Sequence, residues 1–487
     1  MRTPSSRESA SSRHHGRQEA RDLILRLVAL SLAAASVASA QVANVPLDRV
    51  DEFVRAELER QRVPGVAVAI VSKGELLAAK GYGYSNVEHK VPVIAETIFQ
   101  SGSLGKQFTS ALVMTLVEEG KLGLEDPITR FFPDAPDSWR GIRVRHLLTH
   151  TSGIPDYTEQ DIDFRRDYTE DDLTEVIYRL TPEFAPGSRW NYSNTGYVLL
   201  GILVHKVSGR FYGDLLKERI FTPLGMKTAR IITEEDIVPN RAAGYRLVKG
   251  ELKNQEWVAP MINTTADGSL YLTVLDMVAW DRGLRAKAIL KPDSWTRIFS
   301  PVTLNSGKTY PYGFGWSVTD QGGQATQQHG GAWQGFQTYI ARYVGDDLTI
   351  IVFANLAGAN TGRFVEGIAA VFNPRLARAE PTPIADTEPA VAARLRVVLQ
   401  AAALGVLSKT DFAYVRAGFF PDAANRYREV LRELGPPQTL ELLERQELGD
   451  DRIYLYQATF GIRTFIVQFG LAPDNRISLF SVRNSER

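Results

Sequence analysis

Segments in which apolar residues alternate with polar ones, or run unbroken, occur near both ends of the first 375 residues. They predict strands at 66–71, 76–82, 312–318, 338–344 and 348–354. A helical period predicts helices at 47–61, from Ser103 to just before Gly120, and at 361–372. The polar, proline-rich section at 126–186 is typical of helices with long connections. Strands at both ends with helices between them favour an α+β fold, in which an antiparallel sheet is flanked by helices and carries an all-helical insertion.

The pattern of apolar and polar residues changes after residue 375. Prolines recur between residues 374 and 389, which predicts a linker at 376–389. Beyond it the periodicity predicts helices near 390–405 and 422–434, and then strands at 453–460, 464–469 and 477–482. We therefore predict a main domain at 41–375 and a small α+β accessory domain at 390–487, whose partner is unknown.

The N-terminal 40 residues have the pattern of a secretory signal peptide. Residues 1–26 contain six arginines and no lysine, residues 27–37 are apolar, and the triplet Ala38-Ser39-Ala40 follows. The apolar run is too short to cross a bilayer, and no later segment reaches transmembrane length. We expect cleavage before Gln41 and an exported protein, either periplasmic or secreted.

The amino-acid composition excludes several kinds of partner and of functional site. Lysine plus arginine (56) equals aspartate plus glutamate (56), so no broad electrostatic field favours nucleic acid, and none is expected as a partner. The chain has no cysteine, which excludes disulfides, thiolate metal sites and cysteine nucleophiles.

The first motif with catalytic chemistry is Ser103-Leu104-Gly105-Lys106, and Ser103 is the only serine followed by lysine at this spacing. A spacing of three residues places both side chains on one face of a helix. The helix N-terminus favours a developing oxyanion, and a desolvated lysine can lose its proton and act as a base. A bare match of this kind is more often an N-cap serine with a surface lysine, so further motifs are needed.

The second motif is Tyr192-Ser193-Asn194. A tyrosine phenol near a lysine ammonium can have a lowered pKa and exchange protons with substrate. The asparagine amide can hold both the lysine and a substrate carbonyl. The same three residues occur at Tyr84-Ser85-Asn86, at the end of the first predicted hairpin, where we expect a turn. Tyr192 follows a Pro-Gly turn and precedes a helix, so we assign the function to it.

The third motif is His329-Gly330-Gly331-Ala332. Glycines let the backbone approach a substrate closely, and the next N–H can complete an oxyanion hole. The alternative is a plain glycine turn with an exposed histidine. Lys308-Thr309-Tyr310 resembles a K-T-G motif but lacks its glycine, and we expect a loop there.

Two other arrangements are weaker candidates. His146 and His150 have helical metal-pair spacing, but no third ligand is evident. His150 with Ser152 could suggest a triad, yet the G-x-S-x-G elbow of α/β-hydrolases is absent from the sequence. We expect neither a metal nor a cofactor.

Taken together, the motifs and several neighbouring segments resemble the serine β-lactamase and penicillin-binding protein superfamily, in particular its class C β-lactamase-like branch. That branch also contains D-stereospecific aminopeptidases, DD-carboxypeptidases and esterases. The resemblance extends over about residues 45–375. The further segments that carry it are Phe99-Gln100-Ser101-Gly102-Ser103, His146-Leu147-Leu148-Thr149-His150-Thr151-Ser152-Gly153, Asp267-Gly268-Ser269-Leu270 and Tyr312-Gly313-Phe314-Gly315-Trp316.

The resemblance implies a β-lactamase/transpeptidase-like fold and a role for each motif residue. Ser103 would be acylated, Lys106 would activate it, and Tyr192 would carry a proton to and from the leaving group. The substrate would be bound by Asn194, His329 and Gly331. The backbone N–H groups of Ser103 and Ala332 would form the oxyanion hole.

The third motif departs from the β-lactamase pattern because His329 replaces the lysine of K-T-G and the threonine hydroxyl is missing. Those groups recognise the β-lactam carboxylate, so efficient β-lactamase activity is not expected. The sequence predicts an exported serine hydrolase that acts through an acyl-enzyme on a peptide, with D-amino-acid-containing and cell-wall-type peptides included, or on an ester. The alternatives are a β-lactamase of low efficiency and a catalytically silent peptide-binding or scaffold protein.

Overall fold

The computed structural model describes Met1 and residues 46–159, 162–232, 236–321, 323–377, 381–415 and 419–485. Apart from Met1, the predicted signal peptide lies outside the described residues, as does part of the predicted linker.

The strands of the described residues are short at the periphery and longer in two sheets. Their bounds are β1 Gly65–Ser72, β2 Glu75–Asn86, β3 Val91–Pro92, β4 Phe99–Gln100, β5 Tyr245–Val248, β6 Glu251–Asn254, β7 Tyr271–Leu272, β8 Val302–Thr303, β9 Thr309–Tyr310, β10 Ser317–Gln321, β11 Gln324–Trp333, β12 Phe336–Tyr343, β13 Leu348–Ala354, β14 Thr439–Leu448, β15 Asp451–Phe460, β16 Arg463–Leu471 and β17 Ile477–Asn484.

The helices lie mainly between β2 and β10. Their bounds are α1 Leu47–Gln61, α2 Lys106–Glu118, α3 Val144–Leu148, α4 Glu170–Tyr178, α5 Asn194–Ser208, α6 Tyr212–Leu216, α7 Thr222–Leu224, α8 Val274–Arg285, α9 Pro292–Ile298, α10 Thr361–Phe372, α11 Pro389–Leu404 and α12 Ala424–Leu431.

The main sheet joins the two ends of the first 375 residues. In the described part of the chain it has seven strands in the order β10-β11-β12-β13-β1-β2-β3. Val66 of β1 lies opposite Ala354 of β13 in an antiparallel ladder. Both strands are almost wholly buried, since α8 packs on one face and α10 on the other. Strands buried on both faces are continuous apolar runs, which explains why both were visible in the sequence.

The helical section between β4 and β8 packs against one face of this sheet. Its apolar side chains form a large buried cluster with Ala67, Ala69 and Phe353 of the sheet. Phe108 of α2 contacts Trp280 of α8, with 4.5 Å between ring centroids. This packing holds the N-terminal end of α2, where Ser103 lies, against the end of β11.

The C-terminal module, which we define as residues 389–484, has a separate antiparallel sheet of four strands within the described residues, in the order β14-β15-β16-β17. Leu395 and Leu399 of α11 pack with Tyr454 and Phe469 of the sheet in a second buried cluster. The segment before it also contacts the sheet, since the Ile384 N–H donates to the Leu442 carbonyl at 2.7 Å.

The α+β architecture is confirmed, and most predicted elements differ from the observed ones by only a few residues. The strand predicted at 312–318 is wrong for most of its length, because Gly315 has a φ of +72° and turns the chain before β10. Strand β11, which carries His329, was not predicted because its sequence is polar and contains two adjacent glycines. Tyr84-Ser85-Asn86 lies in β2 rather than a turn, and Thr309 and Tyr310 form the short strand β9 rather than a loop.

No helix among the described residues is long and apolar enough to cross a membrane.

Candidate active site

Ser103 lies in a 3-10 turn, Gly102–Gly105, that continues directly into α2. Lys106 follows three residues later, on the same face of the turn, and the Lys106 Nζ is 3.0 Å from the Ser103 Oγ. Lys106 is fully buried, whereas Ser103 is partly exposed. The two side chains that the spacing predicts as neighbours are therefore in hydrogen-bond contact, at the floor of a cavity of about 260 Å³.

Lys106 has two further hydrogen bonds. Its Nζ donates to the Asn194 Oδ1 at 2.7 Å and to the Asp267 carbonyl oxygen at 2.5 Å. Burial lowers the pKa of Lys106 to about 8, although the carboxylates of Asp267 and Asp156 act in the opposite direction. A lysine in this environment has a much larger neutral fraction near pH 8 than a lysine in water.

These contacts determine whether the Nζ of Lys106 donates a hydrogen bond to Ser103 or accepts one from it. Both amide and peptide oxygens can only accept, so they take the two N–H bonds of a neutral amine. The remaining lone pair then faces the Ser103 hydroxyl. In the protonated state the third N–H points there instead and donates to Oγ. Loss of one proton thus converts Lys106 from a donor into an acceptor toward Ser103.

Asn194 is the first residue of α5 and is held by Asp156. The Asp156 carboxylate accepts from the Asn194 backbone N–H at 3.0 Å and from its side-chain Nδ2 at 2.8 Å. The other carboxylate oxygen accepts from the Thr158 N–H at 3.0 Å. Because Nδ2 is occupied by a carboxylate, the amide oxygen is oriented toward Lys106. Asp156 therefore fixes the orientation of Asn194.

Tyr192 has a buried hydroxyl that forms no hydrogen bond of ordinary geometry with a described residue. Burial raises the pKa of Tyr192 well above 10, although the nearby Ser103 hydroxyl acts in the opposite direction. This corrects the expectation that a neighbouring lysine lowers the pKa of this phenol. The Lys106 Nζ is 5.0 Å from the centre of the Tyr192 ring. Tyr192 is thus a protonated phenol beside the nucleophile, and Lys106 is the group that can lose its proton more easily.

His329 belongs to a chain of hydrogen bonds that includes His150 and Tyr312. The Ser193 N–H donates to the His150 Nδ1 at 3.2 Å. The His150 Nε2 is 3.1 Å from the Tyr312 hydroxyl, which is 2.9 Å from the His329 Nε2. The His329 Nδ1 is 2.6 Å from the Gly330 carbonyl oxygen.

Only one set of neutral tautomers satisfies this chain. His150 accepts at Nδ1, so its proton is on Nε2 and is donated to the Tyr312 oxygen. The Tyr312 hydroxyl then donates to the His329 Nε2, and the His329 Nδ1–H donates to Gly330. Burial lowers the pKa of His329 to about 4, and burial also lowers that of His150. His329 is therefore neutral at pH 7, and both of its nitrogens already have partners.

Gly331 and Ala332 lie where β11 passes the nucleophile turn. A Cβ atom at Gly331 would overlap the Ser101 carbonyl oxygen, and one at Gly102 would overlap the Ala332 nitrogen. Gly102 also has a φ of +52°, which favours glycine. Two backbone segments can approach this closely only without side chains, and their contact brings the Ala332 N–H beside Ser103.

The structure thus brings together every site residue that the sequence singled out. Sequence reasoning missed Asp156, Asp267, Tyr312 and His150 as members of the site. Asp267, Tyr312 and His150 lie in segments that carried the family resemblance, which was the available signal. Asp156 had none, because one aspartate in a polar stretch has no distinguishing pattern.

The weaker candidates from the sequence, which are Tyr84, His146 and the pairing of His146 with His150, have other surroundings or other roles. The Tyr84 side chain is 46% exposed and lies on β2, which β12, β13 and β1 separate from β11 in the main sheet. The His146 Nδ1 accepts from the Arg143 N–H at 3.1 Å, which closes the first turn of α3. His150 has a φ of +56° and faces Tyr312 rather than His146.

A serine hydroxyl bonded to a buried lysine, at the start of a helix and beside the end of an antiparallel sheet, defines a serine hydrolase of the S-x-x-K class. The family model described as Beta-lactamase matches residues 50–371, and the chain belongs to that family.

Among curated relatives, the chain is 32% identical to "Penicillin-binding protein 4*" of Bacillus subtilis (strain 168), over 61% of this chain and 69% of the relative. It is 28% identical to a "D-aminopeptidase" of Gluconobacter oxydans (strain 621H), over 70% of this chain and 65% of the relative. The chain therefore spans slightly less than two thirds of that second protein.

Among solved structures, D-amino acid amidase from Ochrobactrum anthropi SV3, complexed with L-phenylalanine amide, aligns with a TM-score of 0.59 and 26% identity. The alignment covers 67% of this chain and 98% of the amidase. The shared fold and the family assignment make the chain a serine hydrolase.

Proposed function

We propose that this protein hydrolyses amide bonds of small peptides, D-amino-acid-containing or cell-wall-type ones in particular, or related esters, through an acyl-enzyme at Ser103. The observation that carries the proposal is the buried Lys106 Nζ, 3.0 Å from the Ser103 Oγ, with its two other hydrogen bonds directed at carbonyl oxygens. This arrangement leaves the lone pair of the neutral amine for the serine proton. Similarity to two proteins, a D-aminopeptidase and a D-amino acid amidase, supports the amide substrate class.

In the acylation step, the Ser103 hydroxyl transfers its proton to the Lys106 amine while Oγ attacks the substrate carbonyl carbon. The carbonyl oxygen becomes an oxyanion, which the backbone N–H groups of Ser103 and Ala332 would stabilise. Loss of one such donor costs about 10²- to 10³-fold in rate in other serine hydrolases.

The leaving amine must receive a proton when the C–N bond breaks. Tyr192 is suited to this role because its raised pKa keeps the phenol protonated and its buried hydroxyl lies near Ser103 without a hydrogen bond of ordinary geometry to a described residue. The Tyr192 proton passes to the nitrogen, and the Lys106 ammonium returns a proton to the phenolate. Water then attacks the ester carbonyl by the reverse sequence, which releases the acid and restores Ser103.

A β-lactam is the poorer substrate in this proposal. A lysine in the His329 position would provide a permanent cation for the β-lactam carboxylate, whereas a neutral imidazole provides none. Both His329 nitrogens are also occupied, by Tyr312 and by Gly330. We therefore infer that His329 supports the shape of the site and contributes little to anion binding, so the β-lactamase alternative is the less favoured one.

The proposal also includes the domain organisation and the location. We propose a signal peptide at 1–40, a hydrolase domain at 41–375, a linker at 376–389 and an accessory domain at 390–487, with export to the periplasm or beyond. Expression in a Gram-negative host followed by fractionation and N-terminal sequencing tests this. Mature protein beginning near Gln41 outside the cytoplasm supports it, and folded enzyme that retains Met1 contradicts it.

The test of the catalytic proposal is covalent labelling with a fluorophosphonate and a fluorescent penicillin in parallel, followed by assays on p-nitrophenyl esters and D-amino-acid amides. Ser103→Ala should lose labelling and turnover with little change in Tm, because the hydroxyl is small and partly exposed. Ser300→Ala, which changes an exposed serine outside the site, is the matched control and should still be labelled. Turnover near the wild-type rate in Ser103→Ala would rule out the proposed nucleophile.

A further inference from the structure

The active-site cavity shares a lining residue with a second, larger cavity beside the C-terminal module. The cavity that holds Ser103 and Asn194 measures about 260 Å³, below the range of about 300–1,000 Å³ that is usual for small-molecule sites. The neighbouring cavity, which we name the intermodule cleft, measures about 740 Å³. Thr158 lines both.

The cleft also borders the other side of the catalytic residues. Trp190 and Tyr310 line it, and they also line the small pocket in front of His329. Their rings are stacked at 4.1 Å between centroids. The cleft therefore adjoins the Ser103 side of the site through Thr158 and the His329 side through the Trp190–Tyr310 pair.

The outer wall of the cleft comes from the C-terminal module and is rich in aromatic side chains. Tyr414, Phe419 and Tyr427 lie there, with Asp422 and Arg426 at its edge. Asp422 and Arg426 are exposed, and neither forms an ion pair with another residue of the described part of the chain. Asp451 also lines the cleft but is paired with Arg189, so the unpaired charges are one of each sign and the selectivity of the cleft should come from apolar and aromatic contacts.

The module is attached at the residues that flank this wall. Arg189, next to Trp190, pairs with Asp451 of β15, and its guanidinium lies 4.3 Å from the centre of the Tyr414 ring. The Gly449 N–H donates to the carbonyl of Thr309, next to Tyr310, at 3.1 Å. Both side chains of the Arg189–Asp451 pair are less than 20% exposed. These contacts hold the two walls at a defined separation, as a binding cleft requires.

We propose that the intermodule cleft is an extended substrate subsite, which binds the outer residues of a peptide whose scissile bond lies at Ser103 and prefers an aromatic or large aliphatic side chain there. This inference rests on the proposed function, since it assigns a subsite to the same nucleophile. It makes peptides of three or more residues better substrates than amino-acid amides. The C-terminal module then determines specificity without contributing a catalytic residue.

The test compares peptides of two to five residues, with either Gly or Phe at the outermost position, against p-nitrophenyl acetate as a small substrate. Product formation is followed by mass spectrometry. The wild-type kcat/KM should rise at least tenfold when the peptide is lengthened from two to four residues, and it should be higher with Phe than with Gly at the outermost position. Ala423→Trp fills the cleft from the module side and should remove this gain while p-nitrophenyl acetate turnover stays within twofold. Glu429→Trp, exposed on α12 outside the cleft, is the matched control and should change neither rate.

A binding measurement covers the case in which no peptide of the panel is cleaved. Ser103→Ala should bind the Phe tetrapeptide in calorimetry, and Ser103→Ala with Ala423→Trp should bind it at least tenfold more weakly. The inference is overturned by a rate independent of length, by equal effects of Ala423→Trp on both substrates, or by absence of binding to Ser103→Ala. Failure of the proposed function has a different signature, which is normal ester turnover by Ser103→Ala.

Discussion

The tripeptide Tyr-Ser-Asn occurs twice, and the two copies have different surroundings. At the first copy, Tyr84 is 46% exposed at the end of β2, and the Asn86 Oδ1 accepts from the His89 N–H at 2.8 Å within the same hairpin. At the second copy, the Tyr192 hydroxyl is buried, and the Asn194 Oδ1 accepts from the Lys106 Nζ at 2.7 Å, 88 residues away in sequence.

The chemical properties of the tyrosine and the asparagine in each copy therefore depend on partners that are distant in sequence. The first Asn completes a local turn, which any hairpin of this shape could use. The second Asn is clamped between an aspartate and a buried lysine, so its amide has a single orientation. Burial of the second tyrosine also raises the pKa of Tyr192, which keeps its proton available to a leaving group.

The largest contrast is expected from removal of the two phenol hydroxyls. Tyr192→Phe should lower kcat by at least about a hundredfold, the scale of lost general acid–base catalysis. Tyr84→Phe should leave kcat within twofold, because its side chain is largely in solvent. Steady-state kinetics on one amide substrate measures both. Similar losses in the two variants would show that position in the fold does not separate the two copies.

The pH dependence should report Lys106, which contacts only the second copy. Its pKa is lowered to about 8, and the neutral amine is the active form in the proposed mechanism, so kcat/KM should rise with pH and level off above 8. For a single group the rise from pH 6.5 to 9 is about 30-fold. Because the pKa of His329 is lowered to about 4, no inflection from that residue is expected between pH 6 and 7. A profile that falls with pH above 7 would contradict Lys106 as the base.

A substitution at Asp156 should separate the roles of the two asparagines, Asn194 and Asn86. Asp156→Asn removes the carboxylate that orients Asn194 and should lower kcat/KM by about tenfold, because misplacement of a group in the site by about 1 Å can cost up to about 10²-fold. It should also move the inflection of the pH profile below 8, because the negative charge of Asp156 raises the pKa of Lys106. Asn86→Ala is the control at the first copy and should change neither quantity. An unshifted inflection would mean that Asp156 acts only on the fold.

The smallest effect is expected from Tyr312→Phe, which breaks the chain between His150 and His329. We expect a loss of only a few-fold in kcat/KM, because Tyr312 lies behind His329 and holds its tautomer. The diagnostic measurement is ¹⁵N NMR of the histidine side chains, in which the His329 Nε2 should lose its hydrogen-bond shift while His89 is unchanged. Identical spectra for Tyr312→Phe and wild type would refute the tautomer assignment.

Much of the fold could be predicted because its central strands are apolar on both faces. β1 and β13 are recognisable as uninterrupted hydrophobic runs, and α1 and α10 have a clear helical period. Strand β11 was missed because its residues face the active site on one side and include two glycines, so neither alternation nor β propensity marks it. The same polar and glycine-rich character makes β11 suitable for a close approach to Ser103.

For the site, the sequence by itself determined the Ser103–Lys106 pair, because three residues along a helical turn always bring two side chains together. It also determined the order of the three motifs and hence the family. The sequence also favoured the second Tyr-Ser-Asn copy, which follows a Pro-Gly turn and precedes a helix. The orientation of Asn194 by Asp156 and the link between two histidines through Tyr312 arise only when the chain is folded. These contacts join residues 17 to 162 positions apart, and no local pattern records such distances. The pKa of Lys106 has the same origin, since its lowering comes mainly from burial by helices and loops far along the chain.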